Sequence, residues 1–357
     1  MTKGREFNHI EDLVFFYGSE GATQATDILA SFASSQDDIS IKWDGKAALY
    51  YGRDSDGKFC MATIYGWRKN KPSYTPEDIR THVLTVGQGE DWRKLMAQDF
   101  YHMFGFLEQS VPTDFKGFVK GDLIFSPLMV PVKPTLAGYQ FTPNQVTYTV
   151  DSNSLLGARV ANALIGMALH NTYSEWGSND ETPIDNSVAD KLRTKHVLAF
   201  GQTYVESNPD VDISKLNLIK NMVDKHRVEI DEVLEKRQGL SDMPNIIYTF
   251  VNQTSRAGRL DKINTKGFID WLPTSKVSAN KQERIKTINT QSNKMFPALF
   301  ELTNAVMEAK NEVIAQLDKQ DGDITARTGD QPGGEGYVSL KNKVKLIPRH
   351  RWTPFKG

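Results

Sequence analysis

Residues 39–67 read ISIKWDGKAALYYGRDSDGKFCMATIYGW, and the fold turns on them. Two runs within this stretch, ISIKWDGKAALYYG and FCMATIYGW, alternate apolar and polar positions, which is the period of a half-buried strand. Asp56-Gly57 lies between them and is the dipeptide a tight hairpin favours, because its backbone tolerates positive φ. The stretch predicts a β-hairpin and, with it, an antiparallel sheet.

Outward from the hairpin the period changes. Within residues 5–35, Ala22, Ala25, Ile28, Leu29 and Phe32 recur at helical spacing after a glycine-rich turn at Gly18 to Gly21. Residues 77–110 read as helix. FKGFVKGDLIFSPLMVPV and QFTPNQVTYTVD read as two more strands. From Ser154 to about Gln320 the pattern is helical, beginning with GARVANALIGMALHNTY and ending with MFPALFELTNAVMEAKNEVIAQLDKQ. DGDITARTGDQPGG reads as a polar loop, and EGYVSL and KVKLIPR as two closing strands. The expected class is α+β: antiparallel sheets with flanking helices over 1–152 and 325–357, and a helical subdomain inserted at 153–324. No 20–50-residue period repeats, which excludes a solenoid.

A hydrophobic content of 39% with 10% aromatics is enough for a buried core. Lys+Arg of 43 against Asp+Glu of 44 gives a net charge of −1, so any electrostatic footprint for nucleic acid has to be local. One cysteine, Cys60, excludes a disulfide framework and a cysteine-built zinc site, and fits a reducing, cytoplasmic setting. The N-terminus has no apolar signal-peptide core, and no run is long enough to span a membrane. No P-loop is present.

The chemistry concentrates at Lys42-Trp43-Asp44-Gly45. A lysine attacks phosphorus only as the neutral amine, and an ordinary lysine pKa near 10.4 has to fall for that, by burial or by nearby cations. Gly45 beside it allows close backbone approach to a ligand. Downstream come Tyr65-Gly-Trp-Arg-Lys69, Gly121-Asp-Leu-Ile-Phe125, Gly334-Glu-Gly-Tyr-Val338 and Lys343-Val-Lys-Leu-Ile347.

In this order the motifs resemble the covalent nucleotidyltransferase superfamily of ATP-dependent DNA ligases, RNA ligases and mRNA-capping enzymes. More narrowly, HIEDLVF, KWDGKAA, KGDLIF, FTPNQVTYTV and GMALHNTY resemble ligase-like proteins of tailed phages. The resemblance covers residues 9–173 and 333–349. It implies a ligase-type adenylation fold acting in the cytoplasm of an infected bacterial cell, with Lys42 as the residue that forms a covalent lysyl-AMP from ATP. Lys343 and Lys345, read as alternating on one strand and so sharing a face, would neutralise the α-phosphate. Asp44, Gly45, Arg53, Asp122, Tyr148 and Glu335 would bind the nucleotide, with Tyr148 stacking on the purine and Phe141 a weaker candidate for that place. Glu335 and Asp122 would hold Mg²⁺ or Mn²⁺ through hard oxygens. Arg68, Lys69 and Lys71, beside Trp67 and Tyr74, would contact nucleic acid.

The activity implied is an ATP-dependent polynucleotide ligase, RNA-ligase-like more than DNA-ligase-like, joining RNA or DNA strand ends. The alternatives are nucleotidyl transfer to a protein or an RNA 5′ end, and a non-catalytic phage protein on the same scaffold. Two positions depart from the pattern: Asp122 stands where the family has glutamate, and Ala47 where it commonly has arginine. No oligonucleotide-binding barrel is expected after Ile347. The helical block lies outside the ligase pattern. Its Lys191, Arg193, Lys195, Lys215, Lys220, Lys225 and Arg227 suggest a grip on nucleic acid or on a phage protein. His170 and Tyr173, in the segment read as helix, are expected to be core residues rather than catalysts.

Overall fold

A computed structural model describes residues 8–35, 38–86, 91–235, 240–320 and 322–352. The chain is α+β with several antiparallel sheets and separates into two compact units. One comprises Met1–Ser40, Tyr204–Gln320 and Gly336–Gly357; the other comprises Ile41–Thr203 and Asp321–Glu335. The division differs from the expected one. Residues 153–203 belong with the strands, and residues 1–40 and 336–357 belong with the helices.

In the unit of Ile41–Thr203 and Asp321–Glu335 the expected hairpin is present. Ala48–Arg53 pairs antiparallel with Phe59–Thr63, with Tyr51 opposite Met61, and Gly57 turns the chain at φ 77°. Ala48–Arg53 also pairs with Gly117–Phe125, which pairs with Ile165–Tyr173. Val197–Phe200 lies parallel to Ile165–Tyr173 and extends the same sheet. The strand alternation gives this sheet two different faces. Leu49, Tyr51, Val119, Leu123, Met167 and Leu169 bury one face. Against them pack Met96, Phe100, Met103, Phe104 and Leu107, spaced by three and four along the helix Asp91–Ser110. The helical reading of 77–110 resolves into Pro76–Thr85 and Asp91–Ser110, and residues 87–90 lie outside the described residues.

A second sheet runs Gln331–Pro332, Ile324–Thr328, Val146–Val150, Gly138–Phe141 and Lys133–Thr135, all antiparallel. Trp43, Phe125, Phe141, Tyr148, Ala168 and Phe200 form an apolar cluster that draws on both sheets. Two readings are corrected here. Within the segment read as a polar loop, Ile324–Thr328 is a strand, because Ile324 and Ala326 pack on that cluster beside Val146–Val150. GARVANALIGMALHNTY is only briefly helical, at Leu155–Val160, and then becomes the strand Ile165–Tyr173. That strand is covered on both faces, so its near-continuous apolar run hides the alternation that marks a half-exposed strand.

In the other unit the helices Asp12–Ser31, Ile213–Glu235 and Met295–Leu317 pack on one another. The first starts before the glycine-rich stretch and passes through it with a kink at Gly18, φ 66°. Beyond the kink the Ser19 amide and hydroxyl donate to the Asp231 carboxylate at 2.8 and 2.7 Å. Asn8–His9 pairs parallel with Val344–Leu346, which pairs antiparallel with Tyr337–Ser339. Beneath lies a buried charge network. Lys310 donates to Glu11 at 2.8 Å and to the Ile347 carbonyl at 2.9 Å; Arg349 donates to Glu11 at 2.6 Å and also pairs with Asp12. Burial alone would raise the Glu11 carboxyl, but Lys310 and Arg349 hold it far below the usual carboxylate range. Among the described residues no helix is long and apolar enough to cross a membrane.

Candidate functional site

Lys42–Gly45 lies on the loop between the short strand Ser40–Ile41 and Ala48–Arg53. Its anchor is Trp43, which is 4% exposed and packs its ring 4.8 Å from Tyr148 and 4.7 Å from Phe200. The Trp43 indole donates to Thr203 Oγ1 at 3.2 Å. Burial of Trp43 leaves its neighbours Lys42 and Asp44 partly exposed on either side. The Asp44 amide donates to the Tyr148 hydroxyl at 2.7 Å, and Asn144 donates to Asp44 Oδ1 at 3.2 Å and to the Gly45 carbonyl at 2.5 Å. Immediately after, Lys46 N–H donates to the Leu123 carbonyl and Leu123 N–H to the Ala47 carbonyl, both at 2.9 Å. This lays Gly45 directly on Asp122: a Cβ at Gly45 would stand 2.3 Å from the Asp122 Cβ. The glycine is therefore required by contact with protein, whatever ligand approaches.

Glu335 reaches the same place from the other end of the sequence. The Ile324–Thr328 strand turns through Gln331–Pro332 into Gly333, whose amide donates to the Ala326 carbonyl at 2.8 Å. Gly334 follows, with Ala326 so near that a Cβ would meet it at 3.3 Å. Glu335 Oε2 then accepts from Lys42 Nζ at 2.5 Å, with the two side chains 22% and 33% exposed. Burial pushes the Glu335 carboxyl above its ordinary value; Lys42 draws it back, and the charges of Asp44 and Asp122 push it up again.

Asp122 faces away from the helix-covered side of the sheet, opposite Ala48 and Ala168. Its Oδ2 lies 3.0 Å from His170 Nε2. Burial would raise the Asp122 carboxyl, but the hydrogen bond and charge of His170, then Lys120 and Lys42, hold it below the ordinary aspartate value. Lys42, Asp44, Asp122, His170 and Glu335 thus form one polar cluster that mixes three carboxylates with a lysine and a histidine. It lines neither the cavity of about 1090 Å³ in the helical unit nor the one of about 710 Å³ in its own unit.

Other candidates are placed elsewhere. Arg53 stands at the far end of its strand from Asp122 and donates to the carbonyls of Pro112 and Val111 at 2.9 Å and of Gly57 at 3.1 Å. Its guanidinium thus serves the C-terminal end of the helix Asp91–Ser110 rather than a ribose. Tyr148 is fully buried, with Phe141 and Trp43 against its ring, so it offers no face to a purine; it positions the Asp44 amide instead. Phe141 is buried in the same cluster. Arg68 and Lys69 end a short helix, Ile64–Arg68, rather than a strand, because Thr63 caps it and Trp67 is buried against Tyr50. Both, with Lys71, are exposed. Lys343 and Lys345 belong to the helical unit. Lys343 is an exposed turn residue at φ 52°, ahead of the strand Val344–Leu346, so the two do not alternate on one strand. Tyr173 packs with Tyr50, Trp67 and Phe118, and donates to Glu181 at 2.8 Å.

His170, expected as a core residue of a helix, is a partly exposed strand residue beside Asp122, and Asn144 carried no expectation of its own. His170 followed from the misread strand; the signal was the alternation of Ile165, Met167 and Leu169 with small or polar neighbours. Asn144 lies within FTPNQVTYTV, where the Pro-Asn turn is its signal.

Among the described residues no three of His, Cys, Asp or Glu converge as a ready metal centre. Magnesium needs fewer, since it keeps waters beside one or two carboxylates. Glu335 Oε1 and Asp122 Oδ1 accept no hydrogen bond among the described residues, so the donor set fits such an ion. No curated protein and no solved structure matches the chain. A family model matches residues 5–354, and the chain belongs to that family, a family of unknown function (DUF6267).

Proposed function

We propose that this protein is a covalent nucleotidyltransferase, an ATP-dependent polynucleotide ligase of RNA-ligase-like character, with Lys42 as its nucleophile. The observation that carries the reading is the convergence of Lys42, Asp44, Gly45, Asp122 and Glu335 at one partly exposed place, with Lys42 and Glu335 293 residues apart in the chain. A structural ion pair needs one acid, whereas here the charges of Asp44 and Asp122 also act on Glu335 and that of Lys42 acts on Asp122.

In the proposed step the Lys42 ion pair opens and a proton passes from Nζ to Glu335 Oε2. Burial suits that carboxylate to accept it, by favouring its neutral form. The Nζ lone pair then attacks the α-phosphorus of ATP, an N–P bond forms, and the bond to pyrophosphate breaks. Asp122, tied to His170, and Asp44, tied to Asn144, hold the carboxylate side of the site in place. Asp122 would hold Mg²⁺ or Mn²⁺, which would neutralise phosphate charge when bound, while Glu335, once it has taken the lysine proton, is no longer a ligand. The AMP then passes to a 5′-phosphate end, and a 3′-hydroxyl displaces it. The step draws on residues of one unit and uses neither Lys343 nor Lys345.

The test is incubation with α-³²P-ATP or α-³²P-GTP and Mg²⁺, followed by a denaturing gel, with Lys42→Ala alongside. A band that needs Lys42 supports the reading and names the nucleotide. No band with either nucleotide, in folded protein freed of pre-bound AMP, or a band that survives Lys42→Ala, rejects it.

A further inference from the structure

The cavity of about 710 Å³ lies in the unit of Ile41–Thr203, away from the Lys42 cluster. Its walls are the helix Leu155–Val160 with the turn that follows, and the turn after the helix Asn186–Lys191. Three cations line it, Arg159, Arg193 and Lys195, against one acid, Asp190. Asp190 is already neutralised by Arg193 Nη1. Arg193 Nε is also spent, donating to the Ala199 carbonyl at 2.8 Å, which fixes its fork in the wall. The guanidinium of Arg159, the ammonium of Lys195 and Nη2 of Arg193 have no protein partner among the described residues. Arg193 and Asp190 offset each other, which leaves Arg159 and Lys195 as two uncompensated cations on one hollow, and a polyanion placed there is attracted to both.

The rest of the lining narrows the anion. Asn162 and Thr194 add neutral polar groups, and Ala158, Ala163 and Leu198 are small or aliphatic. No aromatic lines the cavity, so nothing is offered for a base to stack on. The Arg159 fork and the Lys195 ammonium, without base-reading partners, suit phosphate oxygens. The volume exceeds what one bare anion needs and falls within the range of pockets that hold larger ligands.

We infer that this cavity is a sequence-independent binding site for the phosphodiester backbone of a nucleic-acid strand. The inference does not rest on the nucleotidyltransferase reading, since none of its residues belongs to the Lys42 cluster.

The experiment is fluorescence anisotropy of a labelled single-stranded oligonucleotide of mixed sequence, as RNA and as DNA, titrated with the full chain across a salt series. The double variant Arg159→Glu, Lys195→Glu changes two exposed side chains without protein partners, and an unchanged thermal melt checks its fold. Arg193 is kept because it holds the Ala199 carbonyl. Binding should fall about tenfold or more, and the slope of log affinity on log salt should drop by about two. Lys133→Glu, exposed in the same unit but outside the lining, should bind as wild type. The inference is overturned if wild type binds no oligonucleotide at low salt, if the double variant keeps wild-type affinity and slope, or if Lys133→Glu loses as much. Equal competition by AMP and by the oligonucleotide, per phosphate, would also overturn it in favour of a small-anion site.

Discussion

Lys42 Nζ stands 2.5 Å from Glu335 Oε2. The two side chains are only partly exposed, and the cost of burying the Glu335 charge offsets the attraction of Lys42. Glu335→Gln should therefore leave the thermal midpoint almost unchanged. If Glu335 takes the lysine proton, the same variant should label with α-³²P-ATP at least tenfold more slowly, and Lys42→Ala should not label at all. A large drop in midpoint with labelling intact would recast the pair as structural.

Gly45→Ala should be damaging despite its small size. The added methyl would meet the Asp122 Cβ at 2.3 Å, and the loop has to move. The cost should be about 1–3 kcal/mol, the range for forcing a methyl into a filled space. Chemical denaturation measures it. A variant as stable as wild type would show that the loop has slack that the contacts at Lys46 and Leu123 do not suggest.

Tyr148→Phe removes one oxygen and leaves the Asp44 amide without its acceptor. The expected loss is about 1 kcal/mol, the scale of one hydrogen bond with a half-buried partner. If the phenol only positions the loop, nucleotide affinity should fall modestly and equally for ATP and GTP. A selective loss for one purine would instead revive a role in base recognition.

The pH dependence follows from Asp122. Its carboxyl is held below the ordinary 3.8 by His170, Lys120 and Lys42 against the upward push of burial. A depressed carboxyl stabilises the folded state above its unfolded pKa, and that contribution is lost as pH falls through the folded value. Asp122→Asn should thus be less stable than wild type at neutral pH, by about 1–2 kcal/mol for a charge-assisted hydrogen bond. The gap should close in acid below the ordinary value. Glu335 is raised, so it has the opposite sign: its ionisation costs stability as pH climbs through its window. Thermal melts of both variants from acid to neutral pH distinguish the two.

Lys310→Met should be the most destabilising of these changes. Lys310 is fully buried, and it satisfies both Glu11 and the Ile347 carbonyl. Removing one member of a buried charge network costs about 3–5 kcal/mol. Denaturant titration should show a lowered midpoint, while the Lys42 labelling test is unaffected under conditions where the variant is folded.

What the sequence made legible tracks where its signals were local. The helix Asp91–Ser110 declares itself through one exposed and one buried face, and the Ala48–Arg53 hairpin, though covered on both faces, through the Asp56-Gly57 turn between its strands. Ile165–Tyr173 does not, because both of its faces are covered and the contrast is lost. Ile324–Thr328 was obscured differently: its residues look polar until Val146–Val150 pairs with them. At the site, Lys42, Asp44, Asp122 and Glu335 were identified by type and order, and they meet. Arg53 and Tyr148 were identified by the same reasoning but are claimed by neighbours, Arg53 by helix-end carbonyls and Tyr148 by Trp43 and the Asp44 amide. Whether a polar tip faces a ligand or a backbone group depends on tertiary packing, which spacing along a chain does not encode.

The hairpin that delivers Glu335 bears on how the protein comes into being. Lys42 leaves the ribosome 293 residues ahead of Glu335, whose carboxylate follows only after the whole run of residues 204–320 has been made. A nascent or truncated chain lacking residue 335 would carry the lysine without its counter-charge. The cluster is therefore assembled late, and a complete site is a mark of translation that has passed this point.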